Sequence, residues 1–440
     1  MNHDLDSARN AGRDRSNRWY TAVVIGGGGA IGSGITVLFV CGIVWGLFLA
    51  ARREFEVRAP RPVLWIAGAF ALYFLAEFIS MVVNEPTPRG IIGSIENLPF
   101  LAVILVFSRL AFSTREALED WVEIGAVAGA FAAAIFAVCQ VVFLDFPRAT
   151  GLAGNPGPFA VVCAVLYGLC IMSAVRRRER RRILVIFGAL AAAAALMLSG
   201  MRTLWPVILF APFIPVVAMG SRWTVRRLAV YTAVSLALVA IVGALTFSAL
   251  ENRIGALESD LALLERGDLD SSLGQRLLMW QIGVDLVQER PIFGYGPKSV
   301  SATLAAHTAD SEVTIQYSHM HNFLLNAQVR SGILGLIAVL GLLLVPAAVG
   351  WHGRNRDGTA QFGFGMMLVL AFAYVCSGML NVNFGHDILD TLYIYGTIVA
   401  SYLVFGEPMA AGEARDDGAR EAAILAGMTV HAGDDRRHGI

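Results

Sequence analysis

Long apolar runs recur along almost the whole chain and are separated by short polar stretches. About 20 consecutive apolar residues form a helix long enough to cross ~30 Å of hydrocarbon, so we predict eleven membrane-spanning helices. The predicted spans cover residues 33–50, 62–83, 93–111, 121–144, 157–175, 183–200, 203–220, 228–248, 322–349, 362–380 and 388–405. The expected fold class is therefore an all-α polytopic membrane bundle.

The first apolar region, between Arg18 and Arg52, permits two interpretations. It is either one long span or a tight hairpin broken at its glycines, and the hairpin would give twelve spans. Gly27, Gly29 and Gly32 also match the G-x-G-x-x-G pattern of dinucleotide-binding loops, but no strand–turn–helix unit surrounds them. Close helix packing or a helix break explains these glycines better.

Arginine is concentrated in the loops on one side of the predicted bundle, at residues 51–61, 176–182, 221–227 and 351–358. Cytoplasmic loops of membrane proteins are enriched in Lys and Arg, so we expect this side in the cytoplasm. The polar tails, residues 1–19 and 406–440, are expected there too, on either side of a transmembrane domain of residues 20–405. The RRRERRR run at 176–182 is better explained as such an anchor than as a nucleic-acid site.

Composition agrees with a membrane protein. Of the 440 residues, 56% are hydrophobic and 15% are charged, and the formal net charge is zero. No polyanionic partner such as nucleic acid is therefore indicated. All five cysteines lie in apolar runs, where they are typical of small hydrophobic residues rather than of a disulfide framework or a metal site.

One loop on the arginine-poor side is much longer than the others. It covers residues 249–320 and contains ten acidic and five basic side chains. Long loops on a rigid scaffold often carry functional residues. Within it, residues 274–290 predict an amphipathic helix that is stopped by Pro291. Its apolar stripe is expected to contain Leu277, Trp280, Val284 and Val287.

Two arginines stand in unusual positions. Arg276 falls in the first turn of the amphipathic helix, where a cation opposes the helix dipole, so it is either an exposed side chain without a role or an anion-binding group. Arg202 lies between two apolar runs with almost no loop. An arginine at membrane depth faces a cavity or a partner, unless it reaches the nearby surface.

The stretch QYSHMHNFLLNAQVRSG, residues 316–332, places His319, His321 and Asn322 at the start of a predicted span. Two histidines could chelate a metal, but zinc needs at least a third protein ligand and none stands nearby in sequence. Asp268 and Asp270 form a D-x-D pattern, which is common by chance in an acidic loop. The alternatives for His321 are a general base or a histidine that simply satisfies a helix N-terminus.

The order of these motifs resembles the O-antigen ligase and polymerase superfamily, membrane enzymes that use undecaprenyl-diphosphate-linked glycans. The resemblance covers roughly residues 145–380. Its most specific parts are Arg-x-x-x-Trp leading to Pro-x-x-Gly-x-Gly, and His-Asn leading to Gly-x-x-Gly. In this sequence they are Arg276, Trp280, Pro291, Gly294 and Gly296, then His321, Asn322, Gly332 and Gly335. A loop carrying Asn155 before a span also fits.

The resemblance implies a multi-pass enzyme of the cell inner membrane with its active site facing the periplasm. It implies that His321 is catalytic and that Arg202 and Arg276 bind the diphosphate, with His319, Asn322 and Trp280 in possible supporting roles. The donor would be an undecaprenyl-diphosphate-linked glycan and the acceptor lipid A–core, within membrane lipids. No metal or other cofactor is expected.

Several alternatives stay open. A polysaccharide polymerase of the same superfamily is the next candidate, followed by a protein-glycosylating relative. A transporter or flippase would also have many spans, but its charged groups should line both halves of a pathway. Here Glu77 is the main charge within a predicted span, and the polar groups cluster at one face and one loop.

Overall fold

A computed structural model describes residues 2–220, 271–308 and 319–408, together with isolated positions between 229 and 266. The helices of this part of the chain are α1 (Asn2–Gly26), α2 (Gly34–Ala51), α3 (Arg61–Asn84), α4 (Pro88–Glu96), α5 (Val103–Leu110), α6 (Arg115–Val138), α7 (Pro156–Arg176), α8 (Glu179–Leu198), α9 (Trp205–Phe210), α10 (Ile214–Met219), α11 (Ser272–Glu289), α12 (Val300–His307), α13 (Phe323–Gly353), α14 (Gly358–Gly378) and α15 (Asp387–Phe405). The described residues contain no strand. The predicted all-α class is confirmed.

Ten helical segments in the described ranges are long and apolar enough to cross a membrane. Some are continuous through short 3-10 or π turns, as in Pro88–Leu110, Arg115–Phe143 and Arg202–Met219. They coincide with ten of the eleven predicted spans. The remaining prediction, 228–248, lies largely outside the described residues, as do Asp268 and Asp270.

The chain reverses between α1 and α2, as the hairpin alternative requires. A 3-10 turn at Gly27–Gly29 follows α1, and Gly32 adopts a φ of +54°. Partway along α1, Asn17 donates to the carbonyl of Arg109 at 3.0 Å. After the turn that follows α1, Gly32 packs against the carbonyl of Leu152, in the loop before α7. The first helix therefore runs from the arginine-rich side of the bundle to the opposite side.

Small residues allow α1 to lie directly on α6. A Cβ at Gly125 would be 2.5 Å from the carbonyl oxygen of Ala22, and one at Gly129 would collide with the backbone of Gly26. Such close backbone approach is the usual role of glycine between membrane helices. Gly29 and Gly32 also pack closely against their neighbours. These glycines therefore serve helix packing and a helix break, as expected, rather than a dinucleotide-binding loop.

The arginine-rich side is braced by ion pairs between helices. Arg176 pairs with Glu119 of α6 at 2.6 Å, and Thr359 donates to the same carboxylate at 2.8 Å. Arg115 pairs with Asp357, the N-cap residue of α14, at 2.8 Å. Part of the basic run at 176–182 thus holds α6, α7 and α14 together.

The long helix α13 is broken close to the opposite side of the bundle. Ser331 and Gly332 have non-helical backbone angles, and Gly332 has a φ of +62°. The loop after α11 fills the break, because Tyr295 and Gly296 donate to the carbonyls of Val329 and Arg330 at 2.9 and 3.0 Å.

The same loop closes the break from its other side. The amide of Ile333 donates to Pro291 at 2.8 Å. Ser80 of α3 has its hydroxyl 2.7 Å from the carbonyls of both Phe293 and Arg330. Irregular backbone at membrane depth is stable only where protein groups satisfy it, and this loop satisfies it here. The Pro-x-x-Gly-x-Gly and Gly-x-x-Gly motifs therefore form one contact.

We predict that Gly332→Ala destabilises the protein, because a Cβ there would collide with the backbone of Ile292 and the φ is left-handed. A non-glycine residue in such a conformation costs roughly 1–3 kcal/mol before any displacement of the loop. Thermal unfolding of purified protein in detergent would show a lower midpoint. Gly341→Ala in the same helix is the control, since its Cβ would only meet Ala69 at 3.7 Å. Equal midpoints for the two variants would contradict this account of the break.

Candidate functional site

The helix α11 lies on the first part of α13 through a small apolar cluster. Met279 and Leu286 are fully buried there, together with Met320. Gly283 allows the approach, since a Cβ at this position would be 2.7 Å from Leu325. The predicted helix and its end before Pro291 are confirmed.

The predicted apolar stripe of α11 was wrong in detail. Val284 is 49% exposed, and the buried stripe runs through Met279, Gly283 and Leu286. Trp280 lies at the edge of the contact, where its indole Nε1 donates to the carbonyl of Met320 at 2.9 Å. This bond fixes the backbone between the two histidines.

His319 and His321 lie side by side just before α13, with their ring centres 4.2 Å apart. His321 has a φ of +47°, which few non-glycine residues adopt. The conformation is held from both sides. The amide of Met320 donates to Asn326 at 3.3 Å, and the amide of His321 donates to Nδ1 of His319 at 3.3 Å.

These hydrogen bonds assign a tautomer to each imidazole. Nδ1 of His319 accepts a bond, so the neutral ring carries its proton on Nε2. Nδ1 of His321 lies 3.3 Å from the carbonyl oxygen of Leu380, which can only accept. His321 therefore carries its proton on Nδ1 and presents the lone pair of Nε2. In these tautomers Nε2 of His321 can accept a proton, whereas Nε2 of His319 can donate a hydrogen bond.

Both histidines are neutral near pH 7. Burial, with a smaller contribution from His321, lowers the pKa of His319 to about 4. Burial also lowers the pKa of His321, and the positive charge of Arg276 adds to this effect, although the bond to Leu380 opposes it. The structure thus brings Arg276 into electrostatic range of His321.

Arg276 is half-buried at the start of α11, whose first turn is capped by Ser271. Its Nε is a buried donor with no hydrogen-bond partner among the described residues. A buried donor without a partner is costly, and an arginine in the first helical turn is disfavoured by the dipole. An anion bound at this position would relieve both penalties.

Asn322 has a structural position. It is the N-cap of α13, and its side-chain oxygen accepts from the amides of Leu324 and Leu325 at 3.1 and 3.0 Å. This cap starts the helix immediately after His321. The His-Asn pair therefore consists of a candidate site residue, His321, and the N-cap residue that fixes the start of the helix directly after it.

Arg202 is exposed on the 3-10 turn Arg202–Leu204, which packs against α7 and α14. The preceding residue, Met201, approaches Gly157 at the start of α7, where its Cε is 4.0 Å from the Cβ position. Asn381 lies at the same place, with its amide nitrogen 2.9 Å from that Cβ position. The turn is thus next to the corner formed by Asn155 and Asn381.

A cavity of about 1180 Å³, which we call the amphipathic cavity, opens beside the histidines. It lies between α2, α4 and the stretch 97–102 on one side, and α13 and α15 on the other. Its polar end is lined by Asn155, His319, Asn326, Arg330, Asn381 and His386. Its apolar wall includes Val40, Ile43, Val44, Leu47, Leu101 and Leu105.

One buried ion pair at the polar end was missed from the sequence. Arg330 pairs with Glu77 of α3, and Ser331 donates to the other oxygen of this carboxylate at 2.8 Å. Glu77 is only 2% exposed. The signal was available, since both residues carry charge inside predicted spans and such charges usually pair. The pair fixes the side chain of Arg330 beside the break in α13.

The described residues contain no group of three His, Cys, Asp or Glu side chains that could hold a metal ion. His319 and His321 thus have no third ligand in this part of the chain. The five cysteines are all free, and Cys163 and Cys170 are buried in the bundle.

Comparison with known proteins confirms the resemblance noted in the sequence. Residues 187–340 match the family model described as O-antigen ligase. A protein of Haemophilus influenzae with the name "Uncharacterized protein" is 22% identical over 335 residues, which cover 70% of this chain and 77% of that protein. The matched segment contains both arginines, both histidines and the break in α13.

We predict that His319 makes stability sensitive to acid. The unfolded chain takes up a proton on this residue near pH 6.5, whereas the folded protein does so only near pH 4, so stability is lost as the pH falls through this window. Thermal midpoints of wild type and His319→Gln should converge or cross between pH 6.5 and 4. His352→Gln, at an exposed histidine, is the control. A parallel decline in all three proteins would refute the assignment.

Proposed function

We propose, from the match of residues 187–340 to O-antigen ligases, that this chain is a glycosyltransferase of the inner membrane. The match supports a membrane enzyme of the O-antigen ligase and polymerase type. More specifically, we propose transfer of a glycan en bloc from undecaprenyl diphosphate to lipid A–core on the periplasmic face. The observations that carry the proposal are the His321 imidazole, whose Nδ1 lies against the carbonyl of Leu380 so that Nε2 can accept a proton, and the buried Nε of Arg276 within electrostatic range of it.

In the proposed reaction, a hydroxyl oxygen of the acceptor sugar attacks the anomeric carbon of the glycan. The bond from that carbon to the diphosphate oxygen breaks, and the diphosphate leaves with the electron pair. Nε2 of His321 accepts the hydroxyl proton, as its tautomer allows. Attack from the face opposite the leaving group inverts the anomeric configuration.

The proposed role of Arg276, with Arg202, is to bind the diphosphate. A guanidinium presents paired donors that match phosphate oxygens, and negative charge grows on the leaving group as the bond breaks. Donors fixed in advance therefore stabilise the transition state more than the bound substrate. In this scheme the arginines supply the charge that a divalent metal supplies in other glycosyltransferases, and no metal is needed.

Binding of the donor would also prepare the base. The positive charge of Arg276 lowers the pKa of His321 in the protein alone. A diphosphate bound to Arg276 would offset this charge and make His321 a stronger base. Proton acceptance would thus become favourable only after the donor is in place, which limits unproductive chemistry.

Trp280, His319 and Asn322 support the site in this proposal. Trp280 and Asn322 hold the backbone on either side of His321. His319 orients its neighbour through the amide bond and offers a donor on Nε2. The clustering of these groups at one face favours surface chemistry over a transport pathway, and the family match agrees.

We predict that His321→Ala lowers the transfer rate by about 10²–10⁴ through loss of the base. Arg276→Ala should lower it by about 10²–10³, and Arg276→Lys should restore only a small part of the loss. The assay uses purified protein with lipid-linked glycan and lipid A–core. Arg180→Ala, an exposed arginine of the other face, is the control and should transfer normally. Full activity in His321→Ala would exclude the proposed base.

The deletion strain separates the alternatives. Loss of a ligase leaves long glycans on the lipid carrier and bare core lipopolysaccharide. Loss of a polymerase leaves core that carries single repeat units. Unchanged glycan pools after deletion would contradict both activities and favour transport.

A further inference from the structure

The tautomer of His321 is set by a loop that belongs to other helices. The carbonyl oxygen that faces its Nδ1 is that of Leu380, in residues 379–386 between α14 and α15. A carbonyl accepts but cannot donate, so its direction decides which ring nitrogen carries the proton. A histidine base needs such an acceptor behind it, because the acceptor orients the ring and stabilises the positive charge that forms on proton transfer. The action of His321 as a base therefore depends on what fixes this loop.

One side chain of the loop, Asn383, ties it back to α14. Asn383 is fully buried, and its Nδ2 donates to the backbone carbonyl of Tyr374 at 2.5 Å. The far end of the loop is tied to α15, where the amide of Gly385 donates to the carboxylate of Asp390 at 3.0 Å. Leu380 lies on the α14 side of these two attachments. The bond from Asn383 therefore closes the part of the loop that carries the acceptor for His321.

The end of α14 is packed directly against the start of α13. A Cβ at Gly378 would be 2.6 Å from the ring of Phe323, the first residue of α13, and 3.0 Å from Nδ2 of Asn383. Across this contact, the bond between His321 and Leu380 measures 3.3 Å. Hydrogen bonds from nitrogen to oxygen usually measure about 2.7–3.2 Å. A small displacement of the loop is therefore enough to break this one.

Stability alone does not explain an amide at this position. The Oδ1 atom of Asn383 is buried and has no hydrogen-bond partner among the described residues. A buried acceptor without a partner costs at least as much free energy as one hydrogen bond contributes. An apolar side chain of similar size would avoid this cost. The amide is better explained by the direction that its bond to Tyr374 gives to the loop.

We propose that Asn383 is a positioning residue for the transfer reaction. By tying the loop to α14 it aims the carbonyl of Leu380 at Nδ1 of His321, and so keeps the ring proton away from the nitrogen that receives the proton of the acceptor hydroxyl. This inference rests on the proposed function and deepens it, because it names the residue through which the base is oriented.

Loss of this orientation has a distinct effect on the pH dependence. Burial lowers the pKa of His321, the bond to Leu380 raises it, and the charge of Arg276 lowers it. His319, the titratable neighbour, is itself neutral near pH 7. A displaced loop weakens only the bond, so the pKa of His321 falls further. Because the base acts in its neutral form, the acid limb of kcat/KM then moves to lower pH. A variant that only unfolds part of the protein leaves this limb in place.

Nuclear magnetic resonance of the full chain tests the proposal without any substrate. Wild type, Asn383→Leu and Tyr374→Phe are purified in detergent with ¹⁵N-labelled histidine, and the signal of His321 is identified by its loss in His321→Gln. Tyr374→Phe is the matched control. It removes a buried bond between α14 and α15, from the Tyr374 hydroxyl to the carbonyl of Leu389, but keeps the backbone carbonyl that Asn383 uses. The ring nitrogens are followed between about pH 4 and 8.

We expect the His321 proton on Nδ1 in wild type and in Tyr374→Phe. In Asn383→Leu it should be shared between both nitrogens, and the ring should titrate at lower pH. The kcat of this variant should fall by about 10-fold or more, a part of what a positioned base contributes, with little change in the KM for the donor. Asn383→Ala should give the same results if Asn383→Leu does not fold.

Two results would overturn the proposal: an unchanged tautomer and titration in the Asn383 variants, or an equal change in Tyr374→Phe. If wild type transfers glycan and the Asn383 variants keep the wild-type tautomer, only this inference fails. If the tautomer responds as expected but wild type transfers no glycan, the proposed function fails, and the orientation of His321 by Asn383 still stands.

Discussion

The rest of the site depends on the break in α13 and on the loop that fills it. Three backbone groups freed at Ser331 and Gly332 are satisfied by the loop of residues 291–296. In an apolar surrounding each unsatisfied group would be expensive, so loop and helix are fixed to one another. The first turns of α13 then have a defined direction. The two histidines, Arg276 and Trp280 take their positions from it.

The site contains one neutralised ion pair and one arginine, Arg276, that has a buried donor without a hydrogen-bond partner among the described residues. Arg330 and Glu77 neutralise each other beside the break. Arg276 has a buried donor left over, and it lies within electrostatic range of an imidazole that burial keeps neutral. A cation next to a neutral base is a poor arrangement for stability alone. It becomes favourable once an anion is bound, as the diphosphate of the proposed donor would be.

Much of the fold was predictable because the hydropathy of about 20 consecutive residues is enough to predict a membrane span. Ten predicted spans have their helices, and the glycine-rich turn after α1 follows from small residues in a short stretch. Contacts between residues that lie far apart in the sequence were not predictable in the same way. The two glycine motifs were recognised as patterns, but their contact joins Gly294 to Val329 and Arg330 through backbone atoms, which leave no mark in composition. The pairing of Glu77 with Arg330 spans 253 residues. Val284 was misplaced because helical periodicity alone does not say which side of a helix faces its neighbour.

The short apolar stretch of α1 has a consequence for how the protein enters the membrane. Polar side chains reach as far as Arg18, so only the last turns of this helix and the glycine turn are apolar. A segment of this length is too short to remain across a bilayer by its own hydrophobicity. It is held by Asn17 and Thr21, which bond to Arg109 and Tyr395, and by its glycine contact with α6. These partners lie later in the sequence, so the contacts that hold the first helix form only after the helices that carry them have been synthesised.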